Sequence, residues 1–221
     1  MTFTDAPPTS RILTYPPKAE AIAEAAQALA EGQLIALATE TVFGIAADAA
    51  NSEAVAALYE AKGRDMAVPL QILVPDLAIA EVIGHFSDAA RRLAARFWPG
   101  PLTLVVPLRH DARALLAAEI CGDQTGPEYT IGIRMPAHPV PQALLHAYGA
   151  PLAASSANRS GQPAALSARE TDDVLGSALA CILDGPCDPA GLASTVVDTT
   201  HSPVRILREG AITTARILAA A

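Results

Sequence analysis

Positive charge, aromatic rings and cysteine are all scarce in this chain, and each scarcity argues against a class of function. Lys and Arg total 15 against 23 Asp and Glu, a formal net charge of −8. No broad basic face is expected, which disfavours a protein that grips long nucleic acid through its phosphates. Aromatic residues make up 4% of the sequence, so the core must be built from Ala, Leu, Val and Ile, which suits helices packed closely on a sheet. The three cysteines, Cys121, Cys181 and Cys187, are odd in number and widely spaced, with no C-x-x-C and no histidine at ligand spacing. Neither a disulfide framework nor a zinc site is indicated. No 18-residue apolar span free of charge occurs, and Met1 to Pro17 lacks the charged-then-apolar order of a secretion signal. The expectation is a cytoplasmic protein that enters no membrane. With no Gly/Ser linker and no repeat, the 221 residues read as one domain. An irregular lead-in over 1–17, a unit over 18–212 and a helical tail over 213–221 are expected.

What is present is an alternation of short apolar runs and amphipathic stretches. Ile22, Ala25, Ala26 and Leu29 recur at helical spacing in Lys18 to Glu31, with Gly32 as the stop. Leu34 to Ala38 reads as a buried strand, and Thr39 to Gly44 as the turn after it. Asn51 is placed to cap a helix through Ala61, with Lys62 and Arg64 just beyond its end. Strands are expected over Leu70–Val74, Leu102–Leu108, Tyr129–Met135, Pro151–Ala154, Ala180–Asp184, Ser194–Asp198 and Val204–Leu207. Helices are expected over Asp76–Ile83, Ser87–Phe97 and Pro139–Tyr148. Ser167 and Glu170 have the spacing of a capping box opening a further helix, and 109–128 reads as a short helix and a loop. The pattern is that of an α/β domain around a mixed sheet.

Polar clusters fall at the ends of these strands: Thr39/Glu40/Thr41, Lys62/Arg64, Thr130/Arg134, Ser155/Ser156/Asn158/Ser160, Ser194/Thr195, and Arg208 with Gly210. An α/β sheet gathers ligand-binding loops at strand ends, so separated clusters can form one cleft. No serine has a histidine or cysteine in a recognisable arrangement, and G-x-S-x-G, the Walker loop and G-x-G-x-x-G are absent. Hydrogen-bond donors and cations without a nucleophile suit nucleotide chemistry, where positioning and charge stabilisation supply most of the catalysis. The residues alone leave plainer readings open. K-G-R can be a solvated surface, Ser/Asn/Gly loops can be ordinary turns, and Arg134 can pair with a core carboxylate.

Eight motifs in fixed order add a resemblance. They are G-Q-L-I-A-L-A-T-E-T-V-F-G-I (Gly32 to Ile45), E-A-K-G-R (Glu60 to Arg64), P-L (Pro69, Leu70), F-W-P-G-P-L-T-L (Phe97 to Leu104), I-G-I-R-M-P-A-H-P (Ile131 to Pro139), S-A-N-R-S-G-Q-P (Ser156 to Pro163), G-L-A-S-T-V-V-D (Gly191 to Asp198) and I-L-R-E-G-A-I (Ile206 to Ile212). Over about residues 18 to 212 the chain resembles the YrdC-like threonylcarbamoyl-AMP synthase family, in its short form. The family's K-x-R and S-x-N signature stands here as Lys62, Arg64, Ser156 and Asn158.

The resemblance implies a YrdC-like twisted mixed sheet flanked by helices, with a concave, positively charged cavity. It implies an enzyme making L-threonylcarbamoyladenylate from L-threonine, bicarbonate or CO2, and ATP with Mg2+, the first step in modifying adenosine 37 of tRNA. By the same resemblance Thr41, Arg134 and Ala154 contact L-threonine, while Lys62, Arg64, Thr130, Ser156, Ser194 and Arg208 contact ATP and Asn158 supports the loop. Lys62 and Arg64 are the implied catalytic pair. tRNA and other modification proteins are implied downstream. The chain departs from the family pattern at Ala38 (usually proline), Phe43 (usually tyrosine), Ser155 (commonly proline) and Leu73 (a histidine in some longer members). No Mg2+ ligand is identified, Glu40 being one conceivable carboxylate. Two other readings are an RNA-binding module of the same fold, with a patch from Lys62, Arg64, Arg91, Arg92, Arg96 and Arg159, and a paralogue forming a carbamoyl adenylate.

Overall fold

A computed structural model describes residues 10–121 and 129–221. The first nine residues of the expected lead-in, and 122–128 of the stretch read as short helix and loop, lie outside the described residues. In chain order the elements are β1 (Arg11–Leu13), α1 (Ala19–Ala30), β2 (Ile35–Leu37), β3 (Gly44–Asp48), α2 (Ser52–Lys62), β4 (Gln71–Leu73), α3 (Leu77–Ile83), α4 (Asp88–Phe97), β5 (Leu102–Pro107), α5 (Ala118–Cys121), β6 (Thr130–Arg134), α6 (Pro139–Tyr148), β7 (Leu152–Ser156), α7 (Ala168–Leu175), β8 (Cys181–Leu183), β9 (Thr195–Asp198), β10 (Arg205–Arg208) and α8 (Thr214–Leu218).

The strands form one ten-stranded mixed sheet in the order β1-β8-β2-β3-β7-β4-β6-β5-β9-β10. Period-two alternation sends neighbouring side chains to opposite faces. One face buries Ala36, Ile45, Ile72, Leu104, Ile133 and Val197 against α2, α4 and α7, with Ile217 of α8 joining the same core. The other buries Leu13, Ile35, Leu37, Ala46, Leu152 and Leu183 against Ile22, Ala25 and Leu29 of α1 and Val140, Leu144 and Leu145 of α6. That second core takes no residue from β5, β6 or β9. Among the described residues no helix packs on the second face of the sheet over those strands, and a concavity is left.

Several local expectations change. Arg11–Leu13, inside the lead-in read as irregular, is a strand parallel to β8. The segment after the Thr39 turn is also a strand: β3 lies antiparallel to both β2 and β7. Ser155 and Ser156, read as loop, complete β7 opposite Ile45 and Gly44. Asn51 caps α2, accepting the Ala54 N–H at 3.0 Å, but the helix runs one residue further than expected and ends on Lys62, with Gly63 in the left-handed region (φ 57°) as the stop. Ser167 accepts the Glu170 N–H, yet the returning carboxylate bond reaches Leu166 N rather than the cap residue itself.

Candidate functional site

The concavity is a cavity of about 360 Å³, within the range of small-molecule sites. Its floor follows from strand alternation. In β6 the sequence T-I-G-I-R sends Ile131 and Ile133 into the core, leaving Thr130, Gly132 and Arg134 to face the cavity. In the same way β5 presents Thr103 and Val105, and β4 presents Gln71 and Leu73. Gly132 keeps the floor low, because a Cβ there would sit 3.3 Å from the Thr103 methyl.

At one end lies Arg134, the last residue of β6 and 3% exposed. Its Nη2 donates to Glu40 Oε1 at 2.8 Å and to Thr41 Oγ1 at 3.0 Å. Burial alone would raise the Glu40 carboxyl, but the charge and hydrogen bond of Arg134 outweigh it and hold the carboxyl below its ordinary value. The Thr39 hydroxyl donates to Val42 O at 2.7 Å and lies 2.8 Å from Thr41 Oγ1. A hydroxyl has one proton, so Thr41 must be the donor of that pair, and toward the cavity it can only accept. Arg134 Nε is buried with no protein partner.

At the other end a one-way chain of hydrogen bonds runs down into the floor. Arg208 Nη2 donates to Ser194 O at 2.8 Å and to Ser194 Oγ at 3.1 Å. Ser194 Oγ lies 2.9 Å from Thr103 Oγ1, which donates to Gln71 Oε1 at 2.9 Å. Since the Thr103 proton is used on Gln71, Ser194 donates to Thr103, and the Gln71 amide NH2 is left for a ligand. Arg64 stands on the opposite wall, with Nε and Nη2 bound to Val68 O and Pro69 O at 3.1 and 2.9 Å. Partial burial lowers the pKa of Arg208, and the charges of Arg134 and Arg64 lower it further. Three guanidinium groups thus act on one space. Among the described residues no Asp or Glu lines it.

Thr41, Arg64, Thr130, Arg134, Ala154, Ser156, Ser194 and Arg208 are brought together around this cavity. Lys62 and Asn158 are not among its walls. Lys62 is 1% exposed, and its ammonium donates to Ser156 O, to Asn158 O at 2.8 Å and to Asn158 Oδ1 at 3.0 Å. Burial, then the charge of Arg64, push its pKa down to about 8. Lys62, implied as an ATP contact, has all three ammonium protons engaged on the loop rather than turned into the cavity. Glu40 gives one carboxylate oxygen to Arg134, and its other oxygen is buried without a protein partner. Of the residues in the RNA-binding reading, Lys62 is enclosed and Arg91 stays half exposed in a surface pair with Glu81 at 2.8 Å.

Gln71 and Thr103 went unremarked in the sequence. Their signal was available: each is a polar residue on the cavity-facing alternation of an otherwise apolar strand. Among the departures, Ala38 uses the N–H a proline lacks, donating to Leu183 O at 3.0 Å. Phe43 and Leu73 both line the cavity.

Comparison with known proteins agrees with this geometry. The Sua5_yciO_yrdC family, described as telomere recombination, matches residues 27–210. A Bacillus subtilis protein named threonylcarbamoyl-AMP synthase is 39% identical over 197 residues, covering 89% of this chain and 55% of its own length. A Mycobacterium tuberculosis protein named putative threonylcarbamoyl-AMP synthase is 40% identical over 201 residues, 90% of this chain and 88% of that protein. The structure of Pyrococcus abyssi Sua5 complexed with L-threonine superposes with a TM-score of 0.85 at 36% identity, over 94% of this chain and 59% of that one. The chain spans about half the length of the Bacillus relative and somewhat more of the Pyrococcus structure. A match that runs from the last turn of α1 to just past the end of β10, and so takes in every cavity-lining residue given above, makes this chain a member of the Sua5/YciO/YrdC family.

Proposed function

We propose that the chain forms L-threonylcarbamoyladenylate from L-threonine, bicarbonate or CO2, and ATP, releasing pyrophosphate. The observation that carries this reading is the unpartnered, buried Nε of Arg134 at one end of a cavity whose other walls carry Arg64 and Arg208. An orphaned guanidinium N–H calls for an acceptor from a ligand, and a carboxylate is the acceptor that fits its planar donors. The names of the Bacillus and mycobacterial relatives and the threonine held by the Pyrococcus protein support the same assignment.

In this reading Arg134 takes the amino-acid carboxylate, and Thr41, restricted to accepting, accepts a hydrogen bond from the substrate's hydroxyl or nitrogen. Ala154 and Leu73 supply apolar wall for its methyl group. Once the amine carries CO2 as a carbamate, the carbamate oxygen attacks the α-phosphorus of ATP and the bond to the leaving pyrophosphate breaks. Arg64 and Arg208 offset the charge on the phosphates, with Thr130, Ser156 and Ser194 as polar contacts. Mg2+ arrives with ATP as part of the substrate, held by phosphates and water, since the described residues of the cavity wall offer it no carboxylate. The adenylate then passes to tRNA with the help of other proteins, in the cytoplasm.

The test is pyrophosphate release from ATP, Mg2+ and bicarbonate, with and without L-threonine, with the product identified by mass. Threonine-dependent release of a threonylcarbamoyl adenylate is expected. Release that ignores threonine would move the reading to an adenylate with another acceptor, and no release with no ATP binding would overturn it.

A further inference from the structure

We infer that Lys62 is a positioning residue, a clamp that builds the Ser156–Gln162 loop before any nucleotide arrives, and that it does not itself touch phosphate. The inference rests on the proposed reaction only in naming what the loop serves. An ammonium group has three donors, and here each has an acceptor: Ser156 O, Asn158 O and Asn158 Oδ1. The backbone returns the contact, since Ser160 N–H donates to Lys62 O at 2.8 Å. Asn158 is fixed in turn: its Oδ1 also accepts from Ser156 Oγ, and its Nδ2 donates to Arg159 O and Gln162 O at 2.9 and 2.7 Å. One lysine head thus gathers the backbone oxygens of Ser156 and Asn158 and the Asn158 side chain at the start of the turn.

The position in the fold makes this a fixed device. Lys62 is the last residue of α2, and Gly63 ends the helix in a left-handed conformation no side chain readily adopts. The side chain therefore leaves a rigid helix terminus and runs under the loop, while Arg64, two residues on, faces the cavity. A tetrahedral three-donor head suits this slot, and a planar guanidinium does not. The K-x-R pair accordingly divides its work: Arg64 meets the ligand, and Lys62 shapes the strand end that carries Ser156 to it.

The chain contains two lysines, Lys18 and Lys62, which gives the test an internal control. In the unliganded wild-type protein, amine-selective methylation read by mass spectrometry is expected to modify exposed Lys18 readily and Lys62 at least about a hundredfold more slowly, with ATP making no difference. The lowered pKa of Lys62 would speed its reaction were it accessible, so protection reads enclosure. Labelling of Lys62 at the rate of Lys18, suppressed by Mg·ATP, would overturn the inference.

Hydrogen exchange supplies a second arm. Lys62→Met and Lys62→Arg are each expected to speed exchange of the Ser160 and Gln162 amides by about tenfold or more without ligand, sparing β5 and α6. Arg64→Ala should leave those amides unchanged. Unaltered loop exchange in a folded Lys62 variant that no longer binds ATP by calorimetry would assign Lys62 a direct contact instead. Should both variants fail to fold, the wild-type labelling decides. Neither arm needs the enzymatic assay, so failure of the proposed reaction and failure of the clamp are distinguishable.

Discussion

Arg134 and Glu40, 94 residues apart in sequence, meet at 2.8 Å beneath the cavity, and the carboxylate oxygen that does not touch the arginine is buried without any partner. The pair is not a wall-to-wall salt bridge across the site. Glu40 stands behind, gripping Nη2, so that the rest of the guanidinium stays turned toward the ligand space.

Glu40→Gln tests that grip. Removing one partner of a largely buried pair is costly, and with an amide still able to accept a hydrogen bond the expected loss is about 1–3 kcal/mol of stability. The pH dependence carries the sign. The folded carboxyl titrates below its ordinary 4.5, so its contribution is present above that value and is lost as pH falls through the folded value. Urea unfolding from pH 7 to pH 3 should bring the stabilities of the two proteins together; a constant difference across that range would contradict the assignment.

Arg134→Lys keeps the charge but removes Nε and the planar fork. Losing one or more charge-assisted hydrogen bonds, each worth about 1.5–3 kcal/mol, predicts that L-threonine binding weakens about 10- to 100-fold. Calorimetry with threonine and ATP separately is the check. The threonine arm should move far more than the ATP arm, and equal loss in both would count against a carboxylate role.

Gly132→Val places a branched side chain on the cavity floor against the Thr103 methyl. Valine suits a strand, so stability should change by less than about 1 kcal/mol, while the occupied volume should cut turnover at least about tenfold. Full turnover in a folded variant would mean the ligand does not reach this floor.

Thr103→Val cuts the line from Arg208 through Ser194 to Gln71 at its centre. Two buried polar groups lose a partner, which predicts about 1–3 kcal/mol of destabilisation and a raised KM for ATP, because Ser194 and Arg208 lose their fixed orientation. Thermal unfolding and ATP titration read the two effects separately. An unchanged KM for ATP would detach this line from nucleotide binding.

Much of this architecture was legible in the sequence for physical reasons, and the failures were physical too. The expected helix over 139–148 and the caps at Asn51 and Ser87 emerged as read, because Pro, Gly and capping side chains act locally. β3 escaped notice because G-I-A-A-D neither alternates nor favours extended backbone. It becomes a strand only because β2 and β7 offer it an edge on each side, a tertiary effect. The same pairing drew Ser155 and Ser156 out of their expected loop. The site's clusters were legible because they sit at strand ends, whereas Gln71 and Thr103 were hidden as single polar residues among apolar ones. Lys62 misled for the opposite reason: K-G-R reads as solvated, and nothing short of the fold reveals that its head is enclosed.

The alternation of β4, β5 and β6 has a practical corollary. Positions 72, 104, 131 and 133 answer to the core, and positions 71, 103, 105, 130 and 132 face the cavity, with the backbone plane as a partition between them, while Leu73 both lines the cavity and packs in the second core. Such a sheet behaves like a printed page whose two sides can be edited independently. A change on the cavity side, such as a charge at 105, would retune what the cavity accepts while leaving the reverse side as it was.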